Sequence, residues 1–250
     1  MTETVKSAER ALAVLELLTR VEEPLSFTDL AQRLDYPRSS LHGLLHTLVA
    51  TGWADLDGGR YTLGIRTLEA GNAYARSLSL VDRATPFMTR IAATLDETVQ
   101  LAVLDGVQNV YVAKIDGGQA LTLASEVGRR LPAHATGVGK VLLAGLPREE
   151  LDRRLTGVRL AQLTSNTLTR RAELHAALEQ IRARGFGMDN EEYTPGVRCV
   201  AVPIRDHAGR TVAAMSVSVP MVRFDPPLRE RAHQLLSDAA ERISTALGYT

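Results

Sequence analysis

The stretch from Ser26 to Leu48, SFTDLAQRLDYPRSSLHGLLHTL, leaves this chain fewer choices than any other part of it. Leu30, Ala31 and Leu34 fall on one side of a first short helix, and Leu41, Leu44, Leu45 and Leu48 on one side of a second. Between them stands Asp35-Tyr36-Pro37. Proline suits a first helical position but not a helix interior, and aspartate tolerates the left-handed conformation of a tight turn. Ala31, Asp35 and Leu41 then take the three internal positions of a helix-turn-helix: a small residue at the crossing, a turn former and a buried aliphatic. Arg38, Ser39, Ser40, His42 and His46 are expected to point outward, a set able to reach phosphates and base edges from a helix in the major groove. An ordinary helical hairpin would share the periodicity, but the next segment favours the first reading. Trp53 to Leu56, Asp57-Gly58-Gly59 and Arg60 to Leu63 read as strand, turn and strand. Together these make a winged helix-turn-helix, with Arg60 on the wing near a phosphate or minor groove.

The remainder of the chain is too long for that motif alone. Its 250 residues, 45% hydrophobic with a net charge of +0, suit one large domain or a small one joined to a larger one. No run approaches the roughly 18 apolar residues of a membrane span, and Met1 to Lys6 is polar with no signal-peptide core behind it. The single cysteine, Cys199, excludes an internal disulfide framework and fits a reducing cytoplasm. No Cys and His cluster has metal-ligand spacing, so neither a structural zinc nor any other cofactor is expected. Charge argues against the DNA reading. Residues 1–75 hold 7 cations (Lys6, Arg10, Arg20, Arg33, Arg38, Arg60 and Arg66) against 10 acids, net minus 3. A DNA-binding module usually has a basic footprint, so Lys6, Arg10, Arg38 and Arg60 would have to be segregated onto one face.

In chain order, a first helix is expected from Ser7, its N-cap, to Arg20, with Ala8, Ala11, Leu12, Leu15 and Leu18 inward. After the wing, residues 65–80 read as a connecting helix with a thin apolar stripe (Leu68, Ala75, Leu78) interrupted by Gly71. A second helix follows to about Leu95, with Ala84, Met88, Ile91 and Leu95 inward. This predicts a winged domain over 1–64, a connecting helix over 65–80 and a second domain over 81–250. From Thr98 the pattern turns to strands: VQLAVLDG, NVYVAKIDGG and ALTLASEVG, then Arg198 to Arg205 and Thr211 to Val219 as a hairpin about Asp206 to Arg210. Helices are expected over Pro147 to Leu155, Arg170 to Arg184 and Leu228 to Leu247. The result is an α+β domain with an antiparallel sheet and helices on its faces.

SAERALAVLELL, the Ser26 to Leu48 stretch, GRYTLGIRTLEAG, VGRRLPAHATGVGKVLLA, NEEYTPGVRCVAVPI and AAMSVSVP resemble, in order and wording, the IclR family of bacterial transcription regulators. The resemblance runs from about Ser7 to Gly248. It implies a dimer or tetramer whose winged domain binds double-stranded operator DNA and whose GAF-like C-terminal domain binds a small effector. The resemblance also implies effector contacts from Gly137, Val138, Asp189, Cys199, Ser216 and Ser218, with Leu123, Leu131 and Val197 as apolar wall. Gly43 departs from the family, which often has arginine there.

Physical grounds bear on the same residues. Gly137 and Val138 precede the apolar run Val141 to Ala144, where backbone N–H groups at a helix start would hold an oxyanion. Ser216 and Ser218 are two apart in a strand and share a face, while Val217 and Val219 face the other way. Cys199 joins the serines only if it pairs with Ser218 and Ala201 with Ser216, which needs an even loop around Ala208-Gly209 or a compensating bulge. Each position also has a plainer role: Cys199 as a small core residue, the serines as a solvated edge, Asp189 as a turn cap. Two other functions compete. One is an enzyme with Cys199 as nucleophile and His134 or His207 as base; the other is an adaptor using the winged domain for protein contacts.

Overall fold

A computed structural model describes residues 5–77, 79–119 and 126–249. It divides into two compact units, Met1–Ser77 and Leu78–Thr250.

The first unit begins with α1 (Lys6–Leu18), β1 (Leu25–Ser26), α2 (Phe27–Leu34) and α3 (Arg38–Ala50). Ser7 does not cap α1; the cap position is Val5, without a side-chain bond. Nor is Leu12 inward, being 60% exposed, while Val14 and Leu18 are buried. The apolar stripe therefore runs through Ala11, Val14, Leu15 and Leu18, the i, i+3, i+4, i+7 spacing that one helix face allows. Ser26 and Asp29 form a capping box at the start of α2, Ser26 Oγ accepting from the Asp29 amide and the Asp29 carboxylate accepting from the Ser26 amide. Asp35 ends α2 at φ 50, ψ 45, the left-handed turn its side chain permits. Pro37 stands one position before α3 rather than within its first turn. Strands β2 (Ala54–Asp57) and β3 (Arg60–Leu63) follow, joined by Gly58-Gly59 with φ 53 and 78. Two positive φ values in a two-residue loop give the turn whose twist matches a hairpin, and they require glycine-like residues. β1 pairs with β3, making a three-stranded sheet in the order β1-β3-β2, an addition the sequence did not announce. Leu30, Leu41, Leu45 and Leu48 join Val14, Leu18, Leu25 and Ala54 in one core. α4 (Ile65–Ser77) closes the unit, with Ile65 and Leu68 exposed.

The second unit carries α5 (Ser79–Leu95), β4 (Thr98–Asp105), β5 (Gln108–Ile115), β6 (Arg130–Pro132), α6 (Gly137–Ala144), α7 (Arg148–Leu155), α8 (Arg171–Arg184), β7 (Gly187–Asn190), β8 (Val197–Arg205), β9 (Thr211–Pro220) and α9 (Pro226–Ala246). The strands form one antiparallel sheet in the order β6-β5-β4-β9-β8-β7. α5 and α9 pack on one face with Val99, Leu101, Val200, Val202, Met215, Val217 and Val219. α6 and α8 share a second core with Ala102, Ala201 and Ala214 from the opposite face. The strand expected over ALTLASEVG falls largely outside the described residues, and β6 was not anticipated.

Two bulges set the register. Ile204 pairs with Ala213 but Arg205 with Thr211, so Val212 is the extra residue beside the five-residue loop Asp206 to Arg210. The odd loop alone would turn Cys199 away from both serines; the bulge restores Cys199 opposite Ser218 and Ala201 opposite Ser216. The loop itself is held by Asp206, whose carboxylate accepts from the Ala208 and Arg210 amides and the Arg210 guanidinium. Between β4 and β5, Leu101 pairs with Ala113 and Ala102 with Tyr111. That bulge at Val112 swings Tyr111 onto the same face as Gln100 and Ala102.

Candidate functional site

α6 supplies the centre of the site. Its N-cap is Thr136, whose Oγ1 accepts from the Gly139 amide and donates to Asn109 Oδ1 at 2.7 Å. The cap satisfies the third amide of the helix, leaving those of Gly137 and Val138 facing a cavity without an intrahelical acceptor. Glycine at 137 lets β7 and β8 approach closely: a Cβ would lie 3.3 Å from the Asp189 amide and 3.4 Å from Cys199 Cβ, so its neighbours would have to give by a few tenths of an ångström.

The cavity measures about 130 Å³ and is lined by Gly137, Val138, Asp189, Cys199, Ser216, Ser218, Leu131 and Val197, together with Gln100, Tyr111, Arg129, Thr136, Tyr193 and Thr194. Eight of the nine positions expected around an effector thus meet in one place; Leu123 lies outside the described residues. The other six were missed. Gln100 had a signal, a polar residue on the face of β4 that carries Ala102, whereas Tyr111 arrives by a bulge that no local pattern marks.

Hydrogen bonds organise the sheet side of the cavity. Ser218 Oγ donates to Gln100 Oε1 at 2.9 Å and Ser216 Oγ to the same oxygen at 3.4 Å. Cys199 Sγ lies 3.0 Å from Ser218 Oγ. Burial pushes the Cys199 thiol and the Tyr111 phenol above their ordinary ranges, so both stay protonated. A protonated thiol is a poor nucleophile. His134 turns its Nε2 to the Ala161 carbonyl at 3.0 Å, and His207 is exposed on the β8–β9 loop, so neither lines this cavity.

Asp189 stands where β7 ends. Its Oδ1 accepts from the Glu192 amide at 2.7 Å, which caps the following turn as the plainer reading expected. Burial also raises it to about 7, with the Glu192 charge adding to the rise and Lys140 opposing it. Lys140 and Glu192 form a buried ion pair that ties α6 to the segment carrying Tyr193 and Thr194.

In the first unit, Arg38, Ser39, His42 and His46 are exposed along α3, and Gly43 among them has no atom within 4 Å of the position a Cβ would take. Ser40 is half-buried and accepts from Arg10 Nη1 at 3.1 Å, while the Arg10 guanidinium sits over the Tyr36 ring. Arg38 lies 5.8 Å from the Phe27 ring. Arg60 is exposed at the wing but donates to the Pro24 carbonyl at 3.0 Å.

Both units match known families. Residues 7–58 match the IclR helix-turn-helix domain and residues 72–245 the C-terminal domain of the bacterial transcriptional regulator IclR. The chain belongs to the IclR family. Among IclR relatives, the HTH-type transcriptional regulator XynR of Escherichia coli (strain K12) is 38% identical over 247 residues, 98% of each chain. KdgR of the same organism is 33% identical over 249 residues, 99% of this chain and 94% of that one. The Thermotoga maritima IclR structure superposes with a TM-score of 0.80 at 32% identity, covering 98% and 99% of the two chains. An IclR homolog from Microbacterium hydrocarbonoxydans complexed with 4-hydroxybenzoate superposes with a TM-score of 0.85 at 27% identity, covering 96% and 98%. As an IclR-type protein the chain is a DNA-binding transcription regulator with a mixed α+β fold. Among the described residues no helix is long and apolar enough to cross a membrane.

Proposed function

We propose that the cavity at the start of α6 binds a small organic acid, and that its occupancy controls how the exposed face of α3 engages operator DNA. The observation carrying this is the meeting in one cavity of buried hydroxyls with two helix-start amides that have no hydrogen-bond acceptor among the described residues. Helix-start amides favour an anion, and the serines offer hydrogen bonds to the rest of the molecule. A carboxylate on Gly137 and Val138, its body against Leu131, Val138 and Val197, fits the lining. The 4-hydroxybenzoate held by a relative is an acid of this kind. Arg38, Ser39, His42 and His46, exposed along α3, would read bases, Ser40 being shared with Arg10, and Arg60 would touch the backbone. The segment 65–80 would carry the signal, and a homodimer or dimer of dimers would set two such helices about 34 Å apart on a pseudo-palindrome.

Arg38→Ala should weaken operator binding by about 1–3 kcal/mol in a gel shift, with little effect on acid binding. Ser218→Ala should weaken the acid by about 0.5–1.5 kcal/mol in calorimetric titration and leave acid-free DNA binding unchanged. Ser218→Ala binding every acid as the parent does would remove the cavity from the mechanism. An Arg38→Ala chain with parental operator affinity would remove α3 from DNA reading.

A further inference from the structure

Resting on the effector-site reading just given, the hydrogen bonds beneath the cavity go further and specify which polarity a ligand must have. Gln100 is 2% exposed on β4, directly paired with Ser216 and diagonal to Ser218 across the β4–β9 ladder. Its Oε1 carries two lone pairs, and the two serine hydroxyls each point a hydrogen at it, at 2.9 Å from Ser218 and 3.4 Å from Ser216. A serine hydroxyl has one hydrogen. With its hydrogen committed to Gln100 at 2.9 Å, Ser218 faces the cavity with lone pairs only, and Ser216 is biased the same way by a longer, weaker bond at 3.4 Å. Cys199 reinforces this, since with the Ser218 hydrogen so committed its thiol is the donor in the 3.0 Å contact between them. Asp189 on the neighbouring strand adds a further acceptor when ionised. The opposite wall has the reverse polarity, presenting the Gly137 and Val138 amides as donors.

We infer that Gln100 is a specificity-determining residue, fixing the serine pair as acceptors so that the site selects hydroxy acids over oxo acids of the same skeleton. The acid group would lie on the two amides and the ligand hydroxyl would donate to Ser216 or Ser218. An oxo group in that position brings a second set of lone pairs against the serines, and accommodating it means breaking a buried Ser–Gln100 bond. Gln100 itself acts through the serines, as a positioning residue.

The test uses the full chain and matched probes: lactate against pyruvate, malate against oxaloacetate, and 4-(hydroxymethyl)benzoate against 4-formylbenzoate, each titrated calorimetrically. In any pair that binds, the hydroxy acid should be at least tenfold tighter. Gln100→Met, close in volume but without acceptor or donor, frees the serine hydrogens and should bring the ratio to within about threefold, mainly by improving the oxo acid. Parental chain that binds the oxo acid equally or better overturns the inference while leaving the effector site standing. So does Gln100→Met that keeps the parental preference. Should Gln100→Met not fold, the parental ratios still decide. If no acid of either kind binds, the effector-site reading fails and this inference falls with it.

Discussion

The two faces of the six-stranded sheet are made by alternate residues of the same strands, yet they behave differently. On one face Val99, Leu101, Val200, Val202, Met215, Val217 and Val219 are at most 2% exposed and pack against α5 and α9. On the other, the positions in between are Gln100, Ala102, Cys199, Ala201, Ala214, Ser216 and Ser218. A helix layer sits about 10 Å from a sheet, a gap that valine, leucine and methionine fill at interior density. Alanine, serine and cysteine do not reach across it. The space left at the start of α6 is the cavity, and on its sheet side Gln100, Ser218 and Cys199 are tied to one another. The cavity in this domain thus comes from withholding side-chain volume on one face while the other face is packed.

That contrast can be broken most directly by truncating one residue on each face. Leu101→Ala removes a fully buried side chain from the packed face and should cost about 2–5 kcal/mol. Ser216→Ala, on the open face one residue-pair away, should cost under about 1 kcal/mol, since its bond to Gln100 is long and its neighbours already border empty space. Urea unfolding of the full chain followed by far-ultraviolet dichroism checks both. Equal losses from the two variants would mean that the faces share the load.

The same difference explains what could be read from the chain alone. Packed elements repeat: the leucine spacing of Ser26 to Leu48 located α2 and α3, and Asp35 supplied the left-handed turn between them. Alternation placed Ser216 and Ser218 on one face and Val217 and Val219 on the other. The pairing of Cys199 with Ser218 was expected only on condition that they face one ligand; parity with an odd loop gives the opposite face, and the bulge at Val212, which no local pattern marks, meets the condition. The cavity was otherwise visible only through family likeness, because its lining comes from strands and loops far apart in sequence, and polar residues there look like ordinary turn or edge residues. Tyr111 reaches it through a bulge, and Tyr193 and Thr194 through a turn held by Asp189 and Thr167. The α1 stripe shows a smaller failure: Leu12 is as apolar as Leu15, and only packing decides which side of the helix turns in.

A gentler perturbation than truncation is a proton, and it acts on the open face alone. Asp189 is raised to about 7, principally by burial, with Glu192 adding and Lys140 and two backbone amides opposing. Its amide is close to Gly137, so an acid bound at the α6 amides arrives beside the Asp189 carboxyl. Two anions at that separation repel, which favours protonated Asp189 in the complex and raises its pKa further. Ligand carboxyls titrate near 4 and stay ionised throughout, so Asp189 is the group that responds. Binding therefore takes up a proton above pH 7. By linkage, affinity is highest below about pH 7 and falls as pH rises beyond it, by at most about tenfold per unit until the pKa of the complex is passed. Asp189→Asn keeps an oxygen to accept the Glu192 amide but cannot ionise, and its affinity should be flat over the same range. Titrations at pH 6 to 9, in paired buffers of different ionisation enthalpy, count the proton directly. A parental affinity that does not move with pH, or a slope that survives in Asp189→Asn, would show that the acid sits away from Asp189.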